Sequence, residues 1–302
     1  MAVYLGGNEV GFNTTHGGIV PSGTSTITEN GIYDVTNFAS ASVSVASSGG
    51  LTIDEIAMTS YPSFIVGENA SFIGNYAFIG LFALITVSFP SATSIGSSAF
   101  QRCYSLTTAN FPNVTFIGTS AFQYCYSLTT ANFPNAITID NYAFDNCFAL
   151  TDMSCSNATT ISSYAFQSCS ALITISFPSV ETIGSEAFKG CSALTTTSFP
   201  NVTFIGTSAF QYCYSLTTLS FPKVRNIDNY AFRSCYNLLS LYLLGSSIPL
   251  LTSTNAFSST PMSYYTTSTG GVYGSIFVPS SLYSSYLTAT NWSRFSNRFV
   301  SV

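Results

Sequence analysis

"FPNVTFIGTSAFQYCYSLTT" occupies residues 111–130, and the same twenty letters return at 199–218. The offset, from 111 to 199, is 88 residues, or four periods of 22. The period runs well beyond these two copies. An Ala-Phe pair places its Phe at 78, 100, 122, 144, 166, 188, 210 and 232, and an Ile recurs at 73, 95, 117, 139, 161, 183, 205 and 227. Phe-Pro stands at 89–90, 111–112, 133–134, 177–178, 199–200 and 221–222, with Cys155-Ser156 in the one missing slot. Leu84, Leu106, Leu128, Leu150, Leu172, Leu194, Leu216 and Leu238 complete the register.

Within one unit, "LTTANF" (106–111) reads as a short strand with Leu106, Ala109 and Phe111 turned inward. Pro112 ends it, because proline has no N–H to give to a ladder. "TSAFQYC" (119–125) reads as a helical or 3-10 turn with Ala, Phe and Cys facing the core. The residue after each Ile is Gly74, Gly96, Gly118, Asp140, Ser162, Gly184, Gly206 or Asp228; Gly and Asp suit a tight or left-handed corner. A 22-residue unit cannot bury its own apolar face, so each unit must stack on the next, with strands in one parallel sheet about 4.8 Å apart. These marks predict a repeat solenoid of leucine-rich type, with a parallel β-sheet on one face and short turns on the other.

The ends depart from the period. Residues 1–50 carry none of the marks; "STITENGIYDVTNFASASVSV" (25–45) alternates apolar and polar residues and turns at Asn30-Gly31, which predicts a small β-rich N-terminal anchoring module. The solenoid is expected over 51–244, its first half-unit at 51–72, and a degenerate repeat with a C-terminal cap over 245–302. Phe257 follows Phe232 by 25 residues, "IFVP" (276–279) reads as a last strand, and "SSLYSSYLTATNWSRF" (280–295) as a serine-capped helix covering the core.

Composition narrows the function. Only 6% of the 302 residues are charged, against roughly 25% in an ordinary soluble domain, so the polar surface must come from hydroxyls and amides. The net charge is −5, and no Lys or Arg precedes Arg102. No basic stripe exists for a nucleic acid. No apolar stretch is long enough to span a membrane, and "MAVYLGGNEVGF" has no basic n-region or apolar h-region of a secretory signal.

The unit "LTTANFPNVTFIGTSAFQYCYSL" (106–128) closely resembles the BspA-like class of leucine-rich repeats, known from bacterial surface proteins and phages. The resemblance covers about 73–243. Its departures are Leu81 where the first Cys belongs and Cys155-Ser156 for Phe-Pro. "IFVPSSLYSSYLTATNW" (276–292) looks like the terminal element that follows such repeats, and "GTSTITENGIYDVTNFASASVSV" (23–45) is similar to a β-module of phage tail and virion proteins. The resemblance implies adhesion to cell-surface proteins or glycans without catalysis, and supplies no binding residues to carry over.

The cysteines at 103, 125, 147, 169, 191, 213 and 235 repeat the period, with Cys155 apart. A disulfide ladder has an acceptable Cα spacing, but in-register Cβ atoms stay farther apart than the preferred ~3.8 Å. Metal binding wants close pairs such as Cys-x-x-Cys, and none occurs. A spine of buried thiols acting as small hydrophobes fits best. The lone His16 has no pattern of partners for a catalytic triad. Asp140, Asp145, Asp152, Glu181 and Glu186 fall at different repeat phases, so no catalytic pair or cofactor site is expected.

Two surfaces are candidates for a partner. Exposed strand positions present Thr107, Thr108, Asn110, Thr129, Thr130, Asn132, Thr195, Thr196, Ser198, Thr217, Thr218 and Ser220. This hydroxyl face suits hydrogen bonding to sugar or protein, or merely keeps a parallel sheet soluble. An aromatic row just past the cysteines holds Tyr104, Tyr126, Tyr214 and Tyr236, as an interface or as half-buried packing between repeats. Together these readings give a non-enzymatic phage virion protein, tail- or head-attached. Its partners would be a host cell-surface protein or glycan and, through the N-terminal module, other virion proteins; a homo-oligomer fits such symmetry. The absent export signal motivates this reading; the alternative is a secreted or surface-displayed bacterial adhesin.

Overall fold

The computed structural model of the chain describes residues 72–263 and 274–302. The N-terminal module expected over 1–50, with its Asn30-Gly31 turn and His16, and residues 51–71 of the opening half-unit lie outside the described residues. The chain divides into two compact units, Met1–Cys155 and Ser156–Val302. The described residues of each are built of parallel-strand solenoid turns at the 22-residue spacing.

In the first unit, strands Thr86–Ser88, Thr108–Asn110, Thr130–Asn132 and Asp152–Ser154 pair in parallel, Thr86 opposite Thr108, Thr108 opposite Thr130 and Thr130 opposite Asp152. A second row, Ser94–Ile95, Phe116–Ile117 and Thr138–Ile139, follows within the same repeats and also pairs in parallel. Because side chains alternate along a strand, Val87 and Ala109 face the core while the flanking Thr, Ser and Asn face out. Identical residues therefore stack. Phe78, Phe100, Phe122 and Phe144 form one column with ring centroids 5.0–5.2 Å apart, and Phe89, Phe111 and Phe133 form another at 5.7 and 5.3 Å. Rings of the two columns meet at steeper angles, as at Phe122 and Phe133 (64°). Leu84, Leu106, Leu128, Leu150 and the Ile of each turn are buried beside them.

The expected helical or 3-10 turns are present only as single turns closed three residues back, not as continuous helix, and the physical reason lies in the neighbouring turn. Ser98, Phe100 and Arg102 donate their N–H groups to Thr119, Ala121 and Gln123 of the next turn (2.8, 2.7 and 2.8 Å), whereas Ala99, Gln101 and Cys103 close local bonds three residues back. A helix would satisfy all of these donors internally. The alternation needs left-handed backbone at Ser98 (φ 55°) and Arg102 (φ 63°), and again at Ser120 and Tyr124, each costing about 1–2 kcal/mol for an L-residue. The bonds between turns offset that cost.

Glycine after the Ile also has a different reason from the one expected. Gly96, Gly118, Gly184 and Gly206 are not left-handed; a Cβ at Gly118 would sit 2.8 Å from the Gly96 carbonyl carbon and the Ile95 oxygen. The residue is small because adjacent turns approach closely there. Asp140, which takes this place in one turn, has its carboxylate hydrogen-bonded by the Thr119 hydroxyl and its neighbour's N–H (both 2.7 Å).

The second unit repeats the plan with strands Thr174–Ser176 and Thr196–Ser198, then Thr218–Ser220, Ser240–Tyr242, Ser275–Val278 and a final Phe299–Ser301, all parallel. "IFVP" is thus a strand, as expected, but not the last. The C-terminal helix is broken into a 3-10 turn Ser280–Leu282, one helical turn Tyr283–Tyr286 and a 3-10 segment Trp292–Arg298. Pro279, not a serine, precedes the first turn and supplies no side-chain cap. The break comes at Asn291, which is left-handed (φ 63°) and donates its side-chain amide to Leu251 O at 2.7 Å. The segment still closes the core: Trp292, buried, donates its indole N–H to Pro249 O (2.7 Å) and packs with Phe257, Tyr286, Phe295 and Phe299.

Candidate functional site

The outward strand face is two kinds of hydroxyl row, although its residues look alike in the sequence. In the first row Thr107 donates its hydroxyl to Ile85 O (3.0 Å), Thr129 to Thr107 O (3.0 Å) and Thr195 to Ile173 O (3.2 Å). These donors are committed to the backbone of the preceding turn. One residue further on, the hydroxyls of Thr108, Thr130 and Thr218 make no hydrogen bond among the described residues, nor do those of Ser198 and Ser220. Asn132 donates its amide to Asn110 (2.9 Å), so the asparagines are tied to each other while retaining outward donors. Thr217 is exposed on the same face, and Thr196 belongs to the strand paired with Thr174–Ser176.

The aromatic row stacks. Within the first unit Phe82, Tyr104, Tyr126 and Phe148 follow one another at 5.0, 4.9 and 5.3 Å, and within the second Tyr214 meets Tyr236 at 5.4 Å. Tyr104 is 36% exposed and Tyr236 57%. Each interior ring has both faces covered by neighbours, so solvent meets ring edges and hydroxyls. A sugar could not stack flat on Tyr104 or Tyr126.

The cysteine spine is buried. Cys103, Cys125 and Cys147 donate their thiols to Phe78, Phe100 and Phe122 carbonyls (3.1, 3.2 and 3.2 Å), and Cys191, Cys213 and Cys235 repeat the contact in the second unit. Burial pushes these thiols well up, Cys235 to about 12. Thiolate chemistry is therefore unavailable to them at neutral pH.

The carboxylates have local partners. Asp145, 3% exposed, receives the side-chain amides of Gln123 (2.9 Å) and Asn146 (2.8 Å), and burial raises its carboxyl above the usual range against these bonds. Glu186 pairs with Lys189 (2.6 Å) and accepts from the Tyr164 hydroxyl. Asp152 is exposed beside Thr130. Among the described residues no group of three or more His, Cys, Asp or Glu is placed to hold a metal ion. No helix among them is long and apolar enough to cross a membrane.

One feature escaped the sequence reading. A cleft of about 420 Å³ lies between Lys223 and Arg225 on one turn and the loop Gly245–Ser247 on the next. Its signal was legible as "FPKVR" (221–225), which departs from the "FPNVT" of 111–115 and 199–203.

Stacked parallel strands, aligned inward leucines and phenylalanines, and an outward polar face define a leucine-rich-repeat solenoid. Residues 57–172 and 159–277 match the BspA type Leucine rich repeat region in six copies, and the chain belongs to that family. It is similar to a leucine rich cell surface protein of Faecalibacterium prausnitzii A2-165, 18% identical, covering 98% of this chain and 97% of that one, with a TM-score of 0.38. It is also similar to a leucine rich repeat protein of T. pallidum (22% identical, 70% and 83% covered, TM-score 0.39). A third likeness is to the pneumococcal vaccine antigen PcpA (13% identical, 100% and 97% covered, TM-score 0.29). No curated protein matches the chain.

Proposed function

We propose that the chain is a non-catalytic adhesion protein, displayed on a bacterial surface, which binds a cell-surface protein or glycan through the outward face of its strands. The observation that carries this reading is the division of the hydroxyl rows. Thr107 and Thr129 serve the fold, while Thr108 and Thr130, in register on adjacent strands, keep their hydrogen-bonding capacity for something else. A regular row of unbonded hydroxyls, spaced by the strand separation of about 4.8 Å and flanked by asparagines that keep outward donors, offers repeated donors and acceptors to an extended partner. Membership of the BspA type family supports the same reading.

A place on a phage particle draws its support from the N-terminal residues 23–45, which lie outside the described residues and outside the family match. Light proteolysis of intact source cells, followed by mass spectrometry of the released peptides and of purified phage particles, separates the two placements. Peptides of this chain released from the cell exterior support display on the cell. Peptides found only in particles, at fixed copy number, assign the same binding face to a virion.

A further inference from the structure

We infer that the cleft between Lys223, Arg225 and the Gly245–Ser247 loop is a binding site for a phosphate or sulfate ester, with room for the sugar-sized group that bears it. The inference rests on the cleft alone and stands apart from the adhesion reading.

The repeat itself shows what is unusual. In most turns the position of Lys223 is an asparagine or a serine; Asn113, Asn135 and Asn201 each donate to the carbonyl of a proline on the preceding turn (2.7, 2.8 and 2.7 Å). The position of Arg225 is threonine at 115 and 203, whose hydroxyls bond the preceding turn. At 223–225 both structural residues are replaced together by cations. Lys223 reaches Asn201 Oδ1 (2.7 Å), and the Arg225 side chain makes no hydrogen bond or ion pair among the described residues.

The next turn opens over this pair. Leu219 is paired with Leu241, 22 residues on, but Ile227 is paired with Leu251, 24 residues on. Two extra residues therefore fall between 241 and 251, and the Gly245–Ser247 loop walls one side of the cleft, with Gly245 packed closely against Pro222 O. The N–H groups of Gly245, Ser246 and Ser247 and both serine hydroxyls donate to no acceptor among the described residues. Thr203, lower in the cleft, is engaged with Glu181 O.

Charge points to the ligand. No acidic residue lines the cleft, although acids outnumber bases in the chain, twelve to seven. Three other bases are engaged, Lys189 by Glu186, Arg233 over the Tyr230 ring and Arg298 by Ser263 O, and exposed Arg102 stands alone among the described residues rather than paired with a second cation beside a cleft. A guanidinium presents a planar fork that fits two oxygens of a phosphate or sulfate, an ammonium adds a point charge, and neutral N–H and O–H donors can fill the remaining oxygens. A cleft of about 420 Å³ is larger than a bare anion requires and lies in the range of small-ligand sites.

The test is a titration of the full chain, followed by the backbone amide signals of residues 245–247. The probes are glucose 6-phosphate, glucose 6-sulfate, inorganic phosphate and glucose. The three anions are expected to shift those signals saturably, and glucose is not. Arg225→Gln and Lys223→Gln should each weaken binding by about tenfold or more, and Lys189→Gln should leave it unchanged. Both cleft residues are exposed, and unchanged Trp292 fluorescence confirms folding of each variant. Tighter binding of the esters than of inorganic phosphate means that the sugar is read too; equal affinity means that the site reads the oxyanion alone. Either sustains an anion site. Absence of saturation up to about 20 mM anion at low salt, equal binding of glucose, or unaltered affinity in Arg225→Gln would overturn it.

Discussion

Phe122→Ala tests whether the stacked columns carry the stability of the first unit. Phe122 is fully buried, with Phe100 and Phe144 stacked on its two faces at 5.1 and 5.2 Å and Phe111 and Phe133 against its edge at 6.0 and 5.6 Å. Truncating a buried Phe to Ala costs about 3–5 kcal/mol through lost transfer energy and the cavity left behind. Aromatic pairs add about 0.5–1.5 kcal/mol each beyond area, partly counted already in that range. Adjacent turns are held by hydrogen bonds on three sides and cannot collapse into the hole. We therefore expect a loss of about 4 kcal/mol, a large share of the roughly 5–15 kcal/mol of a folded domain. In urea denaturation followed by far-UV circular dichroism, a slope near 2 kcal/mol/M converts this to a midpoint about 2 M lower. Phe122→Leu, which fills most of the space, should lose less than about half as much. A loss below about 2 kcal/mol for Ala, or equal losses for Ala and Leu, would refute the reasoning, because the column would then be dispensable.

Other expectations follow from the same geometry. Thr197 faces inward where Ile175 and Leu219 stand in neighbouring turns, and its buried hydroxyl has no partner, so Thr197→Val should stabilise the chain by about 1 kcal/mol in the same denaturation assay. The buried thiols have folded pKa values above the ordinary 9.0, so their contribution is complete below pH 9 and is lost as pH rises, because the unfolded chain releases the protons first. At pH 10 each thiol should cost about 1.4 kcal/mol relative to pH 7, and Cys125→Ala should flatten that pH dependence. Trp292→Phe removes the bond to Pro249 O and should cost about 1–3 kcal/mol, read from thermal melting.

The period made the core legible before any coordinates. Leu106, Ala109, Phe111, Ala121, Phe122 and Cys125 are assigned inward from spacing alone, and all are buried. Stacking identical units turns each sequence position into a column, so one correct assignment holds for every copy. The turns were less legible because Ser98, Arg102 and Tyr124 carry no signal for left-handed backbone; that conformation is imposed by the acceptors of the next turn. The outward strand face was legible as a face but not row by row. Thr107 and Thr108 are the same residue one step apart, and only the position of the Ile85 carbonyl commits one hydroxyl and leaves the other unbonded. The break of the C-terminal helix at Asn291 depends on a bond to Leu251, forty residues away in sequence.

The most direct test of the proposed function is binding of the labelled full chain to printed arrays of glycans and of host surface proteins. Two variants are run beside it: Thr108→Ala with Thr130→Ala, and Thr129→Val alone. Saturable binding to a defined member is expected, about tenfold weaker when the unbonded row is removed and unchanged when the committed hydroxyl is removed. Equal binding by all three chains, or no saturable binding to any member, would contradict the assignment of the strand face as the adhesive surface.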